Sequence, residues 1–231
     1  MAIIHQTTLV PAKLELLAGW LPAQPWYRPS GPELDLARIG GLRLDDPAGE
    51  VGIEFMAVTD GSGEQVTTYQ VPLTYRASAC AEAEAGLLGT AEHGVLGRRW
   101  IYDGVHDPVL AAQLVALIQG AAEAQAQRAS NTPDPAVVSR PVTTARLTVT
   151  RSAVAADGPH GTDLLITTAS ADDTPGGDLL VRVHRILQPE SGADPGADGP
   201  AWVAAPWRQP DGTQARGLWA TACPYPARTA G

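Results

Sequence analysis

Lysine is almost missing from this chain: Lys13 is the only one in 231 residues. A Gly-x-x-x-x-Gly-Lys phosphate loop is therefore excluded, because it needs an ammonium on a flexible stem to reach nucleotide phosphates. No basic run exceeds the pair Arg98-Arg99, and the formal net charge is −9. That balance argues against nucleic acid, whose binding needs a stripe of cations, and against an anionic membrane surface. No window approaches the ~20 apolar residues that cross a bilayer, and Met1–Gln6 lacks the basic and apolar regions of a secretion signal, so the expected location is the cytoplasm. Cysteine is nearly as scarce. Cys80 and Cys223 lie far apart in sequence, and free thiols are expected in a reducing compartment. Gly-x-Ser-x-Gly, His-Glu-x-x-His and Cys-x-x-Cys do not occur, so no motif nominates a catalytic residue, a metal site or a cofactor.

What is present is apolar material, 44% of the residues, enough for one or two cores. Strand patterns dominate. Ala2–Val10 and Leu34–Leu44 are short candidates, and Val51–Thr59 and Gln65–Tyr75 flank Asp60-Gly61-Ser62-Gly63, a loop suited to a hairpin. Leu14–Leu21 reads as a helix. Val95–Tyr102 reads as a strand ended by the turn pair Asp103-Gly104; Asp107 then caps a helix that Pro108 starts and that runs to Gln127 on Leu110, Leu114, Leu117 and Ile118.

A polar, Pro-rich linker over residues 129–142 follows, and Thr143–Val154, Asp163–Thr168, Leu179–Leu187, Ala201–Arg208 and Gln214–Cys223 are strands of a second unit, residues 143–231. Gln209-Pro210-Asp211-Gly212-Thr213 turns the last pair. Within Leu179–Leu187, alternation puts Leu180, Arg182 and His184 on one face and Val181, Val183 and Arg185 on the other. The acidic, Gly-rich segment between Glu190 and Pro200 reads as a loop.

Two groups of residues invite chemistry. Asp103, His106 and Asp107 put two carboxylates and an imidazole within five positions, the composition of a metal or acid–base cluster. The competing reading is structural: a strand stop, a turn and a helix cap. Six tryptophans against a single phenylalanine, Phe55, form the other oddity. Indole faces suit sugar rings, and Trp202 and Trp207, beside a turn, are the better candidates; the bland alternative is that both belong to the core.

Two phrases, Tyr69-Gln70-Val71-Pro72-Leu73-Thr74-Tyr75-Arg76 and Gly97-Arg98-Arg99-Trp100-Ile101-Tyr102-Asp103-Gly104-Val105-His106-Asp107-Pro108-Val109, together with Gly41–Glu54 and an opening Ile3-Ile4-His5 that leads into Leu14–Leu21, resemble the N-terminal cap of the maltokinases over residues 1–128. The resemblance implies an α+β fold: a curved antiparallel sheet packed on helices in a cystatin-like arrangement, followed here by a mostly antiparallel β unit. In maltokinase-like enzymes the cap precedes a two-lobed kinase with a His-x-Asp-x-x-x-x-Asn loop, and the residues left after the cap are too few for both lobes. Leu179–Pro189 is similar to the kinase N-lobe strand that carries the phosphate-anchoring lysine, with Arg182 in the lysine's place, which would make residues 143–231 a degenerate N-lobe.

The resemblance thus implies a non-catalytic, cap-like binding or regulatory protein connected with trehalose and α-glucan metabolism. Its expected partners are a separate kinase or glucan-processing enzyme, or a carbohydrate ligand held by Trp202, Trp207 and Arg182. A sugar kinase-related protein acting on ATP with atypical residues or a partner chain is one alternative. A structural or assembly protein is the other, and exposed sheet edges needing cover make a homo-oligomer consistent with it.

Overall fold

The computed structural model describes residues 8–61, 66–127, 132–141, 146–170, 175–190 and 199–226. Ile3, Ile4, Ser62, Gly63, Arg128–Asn131, Thr143 and the 191–198 part of the acidic loop lie outside them.

The chain opens with β1 (Leu9–Val10) and α1 (Lys13–Trp20). Four strands follow: β2 (Leu36–Leu44), β3 (Gly52–Asp60), β4 (Thr67–Arg76) and β5 (Leu87–His93). Then come β6 (Gly97–Asp103), α2 (Pro108–Ile118) and β7 (Gln125–Ala126). Among the described residues six further strands follow: β8 (Val138–Arg140), β9 (Leu147–Gly158), β10 (Gly161–Ser170), β11 (Pro175–Val183), β12 (Ala201–Arg208) and β13 (Gln214–Tyr225).

These strands make two antiparallel sheets, seven-stranded in the order β1-β5-β6-β4-β3-β2-β7 and six-stranded in the order β8-β12-β13-β11-β10-β9. The protein is therefore mostly β: the expected antiparallel sheet with helices and the antiparallel β unit after it are both present, while the helical share is smaller than α+β implies. The physical reason is the early stop of α2. Gly120 adopts φ 68°, and the Gly120, Ala121 and Ala122 amides fold back on the carbonyls of Leu117 and Ala116. Tertiary pairing then overrides the helix propensity of the alanine-rich segment: Gln125 and Ala126 pair with Arg43 and Leu42.

Alternation along β3 sorts the interior. Ile53, Phe55 and Ala57 face a core shared with Leu110, Leu114, Val115 and Ile118 of α2 and with Leu164, Val181, Val183, Val203, Trp207 and Trp219 of the second sheet. Met56 and Val58 face the opposite way, into a second cluster with Leu17, Leu21, Trp26, Tyr69, Val71 and Ile101. Both faces of the first sheet are thus covered, so β3 is buried almost throughout, including the polar residues Glu54, Thr59 and Asp60.

The sheets are joined twice over. Trp207 packs on Gly40 of β2, which has no side chain to hold the layers apart. Beyond β11 the chain crosses over and pairs with β4: the Gln70 amide donates to the Arg185 carbonyl at 2.9 Å, and the Leu187 amide to Thr68 at 2.8 Å. Sheet edges are kept short or irregular. β1, β7 and β8 have two, two and three residues, and the longer edge strand β9 is broken by two register shifts, features that discourage strand-on-strand association.

Candidate functional site

Buried Glu54, Asp103, Asp107 and Arg185 are ion-paired, whereas buried Asp46 and Asp60 are met by hydrogen bonds from backbone amides and Tyr27. Glu54 projects from β3 on the face that carries α1, and its carboxylate is only 4% exposed by residue. It accepts from the Lys13 ammonium at the start of α1, from the Tyr75 hydroxyl at 2.8 Å and from Gln127 Nε2 at 2.9 Å, with Arg38 at 3.7 Å. Burial pushes the Glu54 carboxyl up, but Lys13 and Arg38 together with these hydrogen bonds outweigh it and hold the group below the ordinary carboxylate value. Tyr75 responds in the opposite sense: burial and then the adjacent carboxylate drive its hydroxyl well above 10. Lys13 also lies over the Tyr75 ring, 5.1 Å from its centroid.

The Asp103, His106 and Asp107 group is drawn apart by the fold. Asp107 caps α2 by accepting from the Val109 amide at 2.9 Å, and takes both Nε and Nη2 of Arg76 at 2.7 Å. Asp103, the last residue of β6, instead binds Arg185. His106 packs beside Gly86. Among the described residues no group of three or more His, Cys, Asp or Glu side chains is placed to hold a metal. Cys80 and Cys223 are unpaired.

Arg185 stands out in the sequence only by alternation, which puts it on the face of Val181 and Val183, a signal that it is buried. It is 0% exposed. Its Nη2 donates to Asp103, its Nε donates to Thr162 Oγ1 at 2.7 Å, and its guanidinium lies 4.9 Å from the centroid of the Trp26 ring. One side chain therefore ties the second sheet to both ends of the Trp26–Asp103 region.

Of the two tryptophans proposed as sugar platforms, Trp207 is 3% exposed, on the inner face of β12. Trp202 lies on the opposite, outward face and is partly exposed. The register places Arg140, Trp202, Thr221, Arg182 and Asp163 directly opposite one another across β8, β12, β13, β11 and β10. Opposite residues of antiparallel pairs share a face, so these five form one outward row. The structure thus brings Trp202 and Arg182 together, two strands apart with Thr221 between them, and leaves Trp207 out.

The row is tied by hydrogen bonds. Arg182 donates Nε and Nη2 to the two oxygens of Asp163 at 2.6 and 2.7 Å, a bidentate pair whose side chains are 43% and 17% exposed. The hydrogen bond to Asp163 raises the Arg182 guanidinium further above its ordinary value. His184 Nε2 lies 3.2 Å from Thr221 Oγ1, and burial, then the charge of Arg182, lowers its imidazole below the usual 6.5. Arg140 donates to the Pro200 carbonyl at 2.8 Å. Asp163 and Thr221 do not stand out in the sequence, because only the register of β10 to β13 puts Thr221 beside Trp202 and Asp163 beside Arg182.

Among the described residues no helix is long and apolar enough to cross a membrane. No curated protein matches the chain. The family model described as maltokinase N-terminal cap domain matches residues 20–107, a narrower span than the expected 1–128. That span starts at the last residue of α1, contains Trp26, Glu54, Tyr75 and the strands β2 to β6, and ends on the cap of α2: the stretch from Trp20 to Asp107 is a maltokinase N-terminal cap domain.

Proposed function

We propose that this chain is a non-catalytic binding module of carbohydrate metabolism, in which a maltokinase-type cap is fused to a β-sheet that presents the ligand-binding face. The observation that carries the reading is the fate of the cations. Lys13, the sole lysine, is neutralised by buried Glu54; Arg76 is engaged by Asp107, Arg182 by Asp163 and Arg185 by Asp103. Phosphoryl transfer needs cations directed at developing phosphate charge, and these four are directed at the protein's own carboxylates. The position compared with a kinase phosphate anchor, Arg182, is a clear case, since both of its hydrogen-bonding edges toward Asp163 are occupied.

Thermal unfolding of the whole chain tests the proposal, because a ligand bound only to the folded state raises Tm by mass action. Tm is expected to rise with maltodextrins and to stay unchanged with ATP and magnesium. Phosphorylation of maltose or glucosamine by the purified chain would overturn it in favour of a sugar kinase.

A further inference from the structure

We propose that the outward face of the second sheet is a docking platform for an uncharged oligosaccharide, with Trp202 as the stacking surface and the Arg182–Asp163 pair as the hydroxyl-recognising group. This deepens the binding-module reading and rests on it.

The ring comes first. Trp202 is partly exposed, yet its indole nitrogen is among the buried atoms, so what it offers to solvent is hydrocarbon. A carbon-rich aromatic surface, electron-rich on its face, matches the polarised C–H groups of a pyranose rather than a hydrogen-bonding partner.

The polar neighbours fit the same ligand. From Trp202 through Thr221 to Arg182 is two strand spacings, about 10 Å, a span suited to a disaccharide or longer chain lying across the strands. Arg182 and Asp163 form a planar, bidentate pair that stays partly exposed, so it offers both donor and acceptor sites without needing to rearrange. Thr221 and His184 add a hydroxyl and an imidazole beside it.

Charge complementarity then selects among ligands. Arg182 and Asp163 cancel, and burial favours the neutral form of His184. The Arg182–Asp163 end of the row, with His184 beside it, therefore presents local polarity with little local charge, on a chain whose formal charge is −9; the row's other cation, Arg140, lies at the far end and donates to the Pro200 carbonyl. A phosphorylated or carboxylated ligand at that end would meet long-range repulsion and an arginine already compensated by Asp163, whereas a neutral polyol meets no such repulsion.

The experiment titrates the full chain with maltodextrin, cellodextrin and trehalose by calorimetry, alongside Trp202→Ala, Trp202→Phe and Asp163→Asn. Circular dichroism and Tm show that each variant is folded. At least one neutral saccharide is expected to bind the wild type. Trp202→Ala should weaken it by about tenfold, the value of one aromatic contact, while Trp202→Phe keeps part of the affinity. Undiminished binding by folded Trp202→Ala overturns the platform but leaves a saccharide-binding module standing. Failure of all three saccharides to bind also overturns it; in that case stabilisation by a protein partner would preserve the wider reading, and stabilisation by nucleotide would remove both.

Discussion

Arg185 and Asp103 form an ion pair buried between the two sheets, with the arginine wholly inaccessible and the Asp103 side chain 4% exposed. Eighty-two positions separate them in sequence. The guanidinium also stacks on Trp26 and bonds Thr162, so one interaction closes the cap domain and fastens the second sheet to it.

Breaking that pair should be costly, because the survivor becomes an isolated buried charge. Arg185→Met is expected to destabilise the chain by about 3–5 kcal/mol in urea unfolding. Adding Asp103→Asn should recover part of the loss, since the stranded carboxylate is then removed. Equal destabilisation by the single and double variants would contradict this account.

Glu54 should make the fold acid-sensitive. Its folded pKa lies below the ordinary 4.5, so the unfolded state binds its proton first as pH falls. The stabilisation is fully present above 4.5 and is lost as pH drops through the folded value. Glu54→Gln should flatten that acid limb while lowering stability at neutral pH, as Lys13 and Tyr75 lose a charged acceptor. Lys13→Met, which leaves Glu54 in place, should cost about 1.5–3 kcal/mol, the scale of hydrogen bonds to charged groups.

Asp107 serves both the α2 N-terminus and Arg76, and substitution separates the two duties. Asp107→Asn retains an oxygen acceptor for the Val109 amide and loses only the ion pair. Asp107→Ala loses both, the cap alone being worth about 0.5–2 kcal/mol. Denaturant midpoints should fall in the order wild type, Asn variant, Ala variant.

Much of this architecture could be read from the chain, and the exceptions have physical causes. β12 and the β12–β13 turn are local: Ala201–Arg208 is bounded by Gln209-Pro210-Asp211-Gly212-Thr213, and the Gln209 amide closes the turn on the Thr213 carbonyl at 2.8 Å. The Asp107 cap and Pro108 start are local as well. β5 escaped notice because Leu87–His93 lacks alternation: Gly89 sits at a register shift with φ 152°, and only pairing with β6 and β1 makes it a strand. Alternation predicts one strand over Leu179–Leu187, whereas β11 ends at Val183 and the continuation leaves its sheet to pair with β4. Long-range geometry decides such cases. The same holds for the candidate site: Trp202 and Arg182 stand out by residue type, but their shared row depends on β13 lying between their strands.

Another long-range dependence involves Gly41. It has φ 145°, and a Cβ there would overlap the Phe55 carbonyl and the Gln127 amide that donates to Glu54. Gly41→Ala should therefore lower stability and weaken the acid dependence that Glu54 confers. Thermal unfolding at pH 4 and pH 7 would show both effects.

The central proposal, that the chain binds a neutral saccharide and transfers no phosphate, is tested most directly by isothermal titration of the 231-residue chain with maltodextrin and, separately, with ATP and magnesium. Heat on the saccharide arm and none on the nucleotide arm is the predicted result. Saturable nucleotide binding followed by release of ADP in the presence of sugar would contradict it.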